Sequence, residues 1–195
     1  MWKLNNPKPV KLIIGILAAD RKSLLAAMEA IEDKFDKVDL TSEVWPFTHT
    51  NYYKEQTGPN ILRQFVSTEQ LINPGNLFRI KHKTNRLEQK LAARLKVPLP
   101  RPVNLDPGII EPSKLILAST KNYAHRIYIG KKMYAEVTLI FDKGYWRPLP
   151  YTYLDYRQEC YFEFFEKVRT RLLEQLKQET RSKKWKSRLF GSSEK

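Results

Sequence analysis

The chain has a single cysteine, Cys160, so no disulfide bond can form within it, and we expect it to work in the reducing cytoplasm. Its longest apolar run, residues 12–19, is far shorter than the roughly 20 residues that a membrane helix requires. The first residues also lack the apolar segment of a secretory signal. These absences predict a cytoplasmic location and no membrane partner.

Glycine and histidine are scarce as well, with seven and three residues, and this excludes several common active-site motifs. The sequence contains no P-loop, no glycine-rich dinucleotide fingerprint, no nucleophile elbow, no His-Glu-x-x-His and no paired cysteines. A zinc site would require His49, His82, His125 and Cys160 to converge without the close spacing typical of zinc ligands. We therefore predict no metal site of this kind.

Positive charge is abundant, with 35 Lys and Arg against 21 Asp and Glu and a net charge of +14. Residues 181–195 hold six basic side chains and one acidic one, and the remainder still holds 29 basic and 20 acidic residues. An anionic partner would fit this charge, whether a nucleotide, another small molecule, RNA or DNA. The same charge could also serve solubility alone.

The apolar patterns predict one α+β domain over residues 8–180, followed by a basic, flexible tail over residues 181–195. Its core would be one mixed or antiparallel sheet with about three helices packed on it. The predicted strands cover residues 10–17, 38–47, 60–67, 103–105, 115–119, 125–129 and 133–141. The predicted helices follow the cap Asp20, extend from Pro74-Gly75 to about Leu95, and begin near Tyr156 and pass Leu176. A turn is predicted at Asp106-Pro107-Gly108 and a structured loop over residues 144–153.

The last two predicted strands form a hairpin whose register gives a first candidate site. If its turn is residues 130–132, Arg126 faces Glu136 and Tyr128 faces Tyr134 across the two strands. The opposite face of the second strand is apolar and belongs to the core. The charged pair therefore lies on a cleft side, or else forms an exposed ion pair of little energetic weight.

Four further groups of polar residues could contribute to a binding site. They are Lys81, Asn85 and Glu88 on one stripe of the long helix; Asn104 and Asp106 before the predicted turn; Lys121, His125 and Arg126 around Tyr123; and Asp155 and Arg157 before the last helix. Three of them have simpler explanations: a solvated helix flank for the first, turn residues for the second, and a helix cap for Asp155. Lysine, arginine and an aromatic ring together can hold a phosphate or stack a base, and His125 can serve as an acid or base.

Several segments together resemble an uncharacterised prokaryotic family, domain of unknown function family 4416. They are Phe47-Thr48 with Tyr52-Tyr53-Lys54-Glu55, Ile80-Lys81-His82-Lys83-Thr84-Asn85-Arg86-Leu87-Glu88, Val103-Asn104-Leu105-Asp106-Pro107-Gly108, His125-Arg126-Ile127-Tyr128, Tyr134-Ala135-Glu136-Val137-Thr138 and Thr152-Tyr153-Leu154-Asp155-Tyr156-Arg157. The resemblance covers about residues 8–180. The chain differs from the family pattern by His49 and Thr50, which read as an insertion, and by Leu154 in place of proline.

The resemblance implies no known chemistry, but its polar motif residues coincide with the clusters above. We therefore expect a cleft that binds an anionic small molecule or nucleotide, either as a binding protein or as an enzyme. Lys81, Lys121, Arg126 and Arg157 would hold the anion, with Asn85, Asn104 and Asp155 as further ligand contacts. Glu88, Asp106 and Glu136 would orient these groups, bind a divalent cation, or act as acid and base with His125. One alternative is an RNA- or DNA-binding module that uses the basic surface of the domain and the tail over residues 181–195. Another is a scaffold that binds a protein through the aromatic loop from Tyr145 to Tyr156.

Overall fold

The computed structural model describes residues 2, 4–48 and 54–190; the side chains of residues 54, 55 and 183–190 are not described. The described strands are β1 (Val10–Ala18), β2 (Val38–Thr41), β3 (Trp45–Pro46), β4 (Leu62–Ile72), β5 (Val103–Glu111), β6 (Lys114–Ser119), β7 (Ile127–Gly130), β8 (Met133–Asp142) and β9 (Tyr145–Pro148). The helices are α1 (Arg21–Lys34), α2 (Lys54–Thr57), α3 (Leu77–Leu95) and α4 (Glu159–Phe190), with 3-10 turns at Pro74–Asn76 and Leu154–Arg157. This arrangement confirms the predicted α+β class. Among the described residues, no helix has both the length and the apolar character that a membrane crossing demands.

The described strands form one antiparallel sheet in the order β2-β4-β1-β5-β6-β8-β7, with β3 beside β4 and β9 beside β8. Strand β1 is central and buried along its whole length, as its continuous apolar sequence predicts. Because side chains alternate along a strand, β1 contributes to two cores. Leu12, Ile14 and Ile16 pack against α1 and α3, whereas Ile13 belongs to the aromatic core under α4. The sheet is therefore covered on both faces.

The predicted helices α1 and α3 are confirmed. The Asp20 side chain caps α1 by accepting a hydrogen bond from the Ser23 backbone N–H at 2.7 Å. The last helix begins at Glu159, after a 3-10 turn, and continues to Phe190. Residues 181–190 of the predicted basic tail are thus helical. The flexibility predicted for the tail stays a prediction.

One prediction was wrong where the sequence reads Asp106-Pro107-Gly108. This tripeptide is not a turn but lies inside β5, paired with Gly15, Ile14 and Ile13 of β1. The backbone N–H and C=O of Leu105 point away from β1, and the backbone of Pro107, two residues later, points the same way. Proline has no backbone N–H, so at this position it removes no hydrogen bond between β1 and β5. Gly108 is required because a Cβ there would lie 2.6 Å from Leu117 Cδ2 and 2.7 Å from the Ile116 carbonyl oxygen. Proline and glycine therefore permit a strand here.

Three smaller differences concern the strands. The predicted strand 38–47 is divided into β2 and β3, because the Ser42 backbone N–H and its side-chain Oγ both bond to Phe65. The predicted loop 144–153 contains β9, which returns alongside β8 after a turn with positive φ at Lys143 and Gly144. Strand β4 continues to Ile72, five residues beyond the predicted end.

The β7–β8 hairpin has the predicted pairing of Tyr128 with Tyr134, but its turn is shorter than predicted. Gly130, not Ile129, pairs with Met133, and Ile129 is left at an irregularity in the register. Lys131 and Lys132 form the turn with φ of 50° and 63°. A second irregularity, at Thr138 of β8, moves the later residues to the opposite face, so Leu139 packs in the core under α4.

Candidate functional site

The sheet opens between β5 and β6, and side chains from α3 close the gap. The two strands pair only from Gly108–Leu117 onward, so among the described residues the first half of β5 has no strand partner on this side. The Leu105 N–H donates to Glu88 Oε1 at 2.8 Å, and its carbonyl accepts from Lys81 Nζ at 2.9 Å. Two side chains thus replace a neighbouring strand. Lys81 and Glu88 are buried, so the solvated-flank interpretation was wrong.

Glu88 has a second partner that the sequence did not indicate. Its Oε2 accepts from Arg101 Nε at 2.9 Å and from Arg101 Nη2 at 2.6 Å. Burial raises the pKa of Glu88, although Lys81 and Arg101 act in the opposite direction. Asn85, one turn from Lys81, is half-buried, and its side chain makes no hydrogen bond with any residue that the structure describes. Its predicted contact with a ligand stays a prediction.

The Asp106 carboxylate lies on the α4 face of β5, between two buried cations. Lys81 Nζ is 3.8 Å from its Oδ1, and Arg63 Nη1 is 3.8 Å from its Oδ2. Asn104, two residues earlier and on the same face, donates to Oδ2 at 2.7 Å. The Asp106 side chain is 26% exposed, which makes it the open member of this Asp106 cluster. Its position in a strand replaces the predicted turn.

Arg63 of β4 is, with Arg101, a residue of the site that the sequence did not indicate. Its side chain is only 3% exposed, and Nη2 donates to Asp155 Oδ2 at 2.6 Å. Burial alone would lower the pKa of this guanidinium, but Tyr156 and the carboxylates of Asp155 and Asp106 raise it above its ordinary value. The only available signal was the alternation that puts Arg63 on the same inward face as Phe65. Asp155 is therefore an ion-pair partner, and its predicted helix-cap role was wrong.

Gly15 of β1 leaves the space that this cluster occupies. It pairs with Asp106 across the β1–β5 ladder. A Cβ at Gly15 would lie 3.0 Å from Arg63 Nη1 and 3.1 Å from the Tyr156 hydroxyl oxygen. These two atoms are buried and have no hydrogen-bond partner among the described residues. Burial raises the pKa of Tyr156 well above its ordinary value, even though Arg63 lowers it.

The second cluster is built around Glu136 of β8, on the same sheet face. Glu136 Oε2 accepts from Arg126 Nε at 2.6 Å and is 3.0 Å from His125 Nε2. The side chains of Glu136 and Arg126 are 1% and 3% exposed, so the exposed-pair interpretation was wrong. His125 joins this pair because β7 begins only at Ile127, which releases the residues before it from strand alternation.

Arg126 fixes the walls of this second site. Its Nη1 donates to Ser119 Oγ at 2.7 Å and to the Lys121 carbonyl at 3.0 Å, and Nη2 donates to the Tyr153 hydroxyl at 3.0 Å. These contacts join the loop after β6 to the loop before α4. Burial alone would lower the pKa of Arg126, but Glu136 and Tyr153 raise it above its ordinary value. Every nitrogen of Arg126 is thus engaged, so this residue shapes the site more than it offers donors to an anion.

The two remaining predicted cations have different positions. Lys121 is exposed on the loop beside His125. Arg157 is exposed, and it donates to the carbonyls of Thr152 at 2.9 Å and Pro150 at 2.8 Å. Arg157 therefore holds the loop before α4 in shape. Its predicted contact with an anion has no geometric support.

The Asp106 cluster and the Glu136 cluster are neighbours on one face. Gly108, Leu117 and Glu136 lie in one row across β5, β6 and β8, and Asp106 is two residues from that row. Strand spacing and rise place the Cα atoms of Asp106 and Glu136 about 12 Å apart. The segment before α4 connects the clusters, because Tyr153 contacts Arg126 and Asp155 contacts Arg63. Among the residues that the structure describes, no group of three or more His, Cys, Asp or Glu could hold a metal ion.

The residues of the Asp106 cluster and of the Glu136 cluster all lie within the region that a family model matches. Residues 8–172 match the model described as Domain of unknown function (DUF4416). The chain belongs to this family. Comparison with curated proteins and with solved structures gave no match.

The DUF4416 match includes both clusters and ends at Leu172, within α4. The part of α4 from residue 173 to Phe190 is therefore outside the matched region. Of the segment near residue 50 that resembles the family, Tyr52 and Tyr53 lie outside the described residues, as do His49 and Thr50, so the predicted insertion stays a prediction. Membership confirms the resemblance that the motifs carry, and it supplies no activity.

Proposed function

We propose that this protein binds an anionic small molecule of about nucleotide size beside the Glu136–His125 pair. The observation that carries the proposal is a buried carboxylate that orients a partly exposed imidazole. Glu136 is 1% exposed and His125 is 23% exposed. Burying a carboxylate is costly unless it is paired, and Glu136 is paired with Arg126 while its other contact holds His125 at the surface.

The pair can exchange a proton with a ligand. A carboxylate only accepts hydrogen bonds, so His125 Nε2 carries the hydrogen that points at Glu136. The lone pair of Nδ1 then points away from Glu136, and Nδ1 has no hydrogen-bond partner among the described residues. In its neutral form and in this tautomer, the imidazole has a ring nitrogen that can accept a proton from a ligand.

The positive charge favours an anion as the ligand. The net charge of +14 attracts anions over the surface, and Lys121 is on the loop that carries His125. Lys81 and Arg126 would act indirectly, by holding β5 and the loops in place. Asp106, the open carboxylate of the other cluster, would orient a donor group of the ligand or bind a divalent cation with it. A cytoplasmic location is part of this proposal.

A thermal-shift screen tests the proposal, with nucleotides, sugar phosphates and inorganic phosphate, each with and without Mg²⁺ or Mn²⁺. Glu136→Gln is compared with Asp142→Asn, a control on the same strand whose ion pair with Arg147 is exposed. We expect at least one compound to stabilise the wild type and the control, and to stabilise Glu136→Gln much less. No stabilisation of the wild type, or equal stabilisation of both variants, would overturn the proposal.

A second candidate, nucleic-acid binding, is favoured by the extension of α4. Helix α4 continues through residues 181–190, which contain five basic residues and no acidic one. A helix with this charge can contact phosphates along a nucleic acid. Anisotropy with labelled single-stranded RNA and duplex DNA would measure it, using a full-length variant whose five basic residues are glutamine. Binding that weakens steeply with salt in the wild type, and is lost in the variant, would support it. Salt-independent or unchanged binding would refute it.

A further inference from the structure

Two loops place five side chains in one stack around His125. The His125 ring is 4.4 Å from the Tyr151 ring, centroid to centroid, with 12° between their planes. The Tyr123 ring centroid is 6.0 Å from that of His125, with 25° between the two planes. The Arg126 guanidinium carbon is 4.8 Å from the Tyr123 ring centroid and 5.9 Å from that of Tyr153. We call these five residues the aromatic stack.

The tyrosines of the aromatic stack are exposed, although tyrosines that serve only for packing are usually covered. Tyr123, Tyr151 and Tyr153 are 49%, 38% and 47% exposed. They belong to no core cluster, in contrast to Tyr156 and Tyr161 a few residues later. Their energetic contribution to the fold is therefore small for their size. An exposed group of large rings in one place indicates a contact surface.

The aromatic stack is also held in position before any ligand binds. The Glu136–Arg126 ion pair anchors one loop, and Arg126 donates to the Tyr153 hydroxyl of the other. Arg157 fixes that second loop through its carbonyls, and the Thr152 hydroxyl bonds to the Thr138 carbonyl of β8. A surface with this order loses little conformational entropy on binding.

We propose that the aromatic stack is a nucleobase-binding platform, on which a base lies parallel to the Tyr151 ring, on the face of that ring away from His125. The inference rests on the proposed function and names the ligand class as nucleotides. Parallel rings with a guanidinium among them suit the flat π-face of a base, and stacking of this kind accepts every base. The phosphate of the same nucleotide would then lie toward Lys121. A purely apolar partner would leave the tyrosine hydroxyls and the guanidinium without suitable contacts.

Calorimetric titration of the full-length protein tests this platform, with AMP, GMP, CMP, UMP, ribose 5-phosphate and inorganic phosphate as probes. Because stacking on an aromatic ring strengthens the binding of a base, we expect the nucleotides to bind about tenfold more tightly than ribose 5-phosphate, which has no base. Tyr151→Leu should remove that tenfold difference, and Tyr151→Phe should keep it. Tyr145→Leu, at a tyrosine that is 54% exposed on β9 outside the stack, is the matched control and should also keep it.

The outcomes separate this inference from the proposed function. If nucleotides and ribose 5-phosphate bind equally well to the wild type, the platform is refuted and the anion site stands. A tenfold difference that survives Tyr151→Leu also refutes the platform. If no probe binds, both proposals fail. Loss of self-association in Tyr151→Leu, together with no nucleotide binding, would instead assign the stack to a contact between proteins.

Discussion

The Glu136–Arg126 ion pair can be tested through stability, because its burial sets the size of the effect. Replacement of Glu136 by Gln keeps the shape and one acceptor oxygen, but it leaves the Arg126 guanidinium, 3% exposed, without its counter-charge. Breaking a buried pair costs about 3–5 kcal/mol, and the retained acceptor places Glu136→Gln near the lower end of that range. The exposed Asp142–Arg147 pair, whose side chains are 45% and 51% exposed, should contribute less than about 1 kcal/mol.

Urea unfolding followed by circular dichroism gives the free energy of unfolding of the wild type, Glu136→Gln and Asp142→Asn. A loss of about 3 kcal/mol corresponds to a decrease in Tm of roughly 6–12 °C for a chain of this length. The control should stay within about 4 °C of the wild type. If Glu136→Gln lost no more stability than Asp142→Asn, at an unchanged m value, the Glu136–Arg126 pair would not lie in a buried, low-dielectric environment.

Three other variants test the remaining parts of the structure. Gly15→Ala should lose about 1–3 kcal/mol of unfolding free energy, because its Cβ would press on the Tyr156 hydroxyl; stability equal to the wild type in urea would refute that close approach. Lys81→Met should lose about 1–3 kcal/mol, since the Leu105 carbonyl loses its donor, and faster hydrogen exchange at β5 should accompany the loss. Burial raises the pKa of Tyr161 to about 12 in the folded state. The free energy of unfolding that is present below pH 10 should therefore decrease as the pH rises through 12, and it should decrease less steeply in Tyr161→Phe. An equally steep decrease in both proteins would refute the raised pKa of Tyr161.

Local patterns in the sequence predicted the elements that depend on local physics. The apolar run of β1, the cap at Asp20 and the apolar stripe of α3 each predict their element without reference to the rest of the chain. The pairing of Tyr128 with Tyr134 followed from counting across a turn, although the turn was one residue shorter than predicted. Where strand alternation and helical periodicity decide the structure, the sequence was sufficient.

The predictions that failed depend on contacts between distant segments. Asp106-Pro107-Gly108 has the composition of a turn, and only the gap beside β5 allows a proline there without a lost hydrogen bond. The burial of Arg63 follows from carboxylates that are 43 and 92 residues away in sequence, so no local pattern indicates it. Likewise, the helical spacing placed Lys81 and Glu88 on one stripe of α3. Their hydrogen bonds to the Leu105 backbone could not be predicted, because they depend on where β5 lies beside the helix.

The most direct measurement of the central claim is a long-range ¹H–¹⁵N NMR spectrum of the imidazole of His125, with His125→Asn used to assign it among the three histidines. The spectrum of the neutral imidazole should show the tautomer with hydrogen on Nε2, and addition of AMP should shift the Nδ1 resonance strongly. A hydrogen on Nδ1, or an Nδ1 resonance that does not move at saturating AMP and inorganic phosphate, would contradict the assignment of His125 to a ligand site.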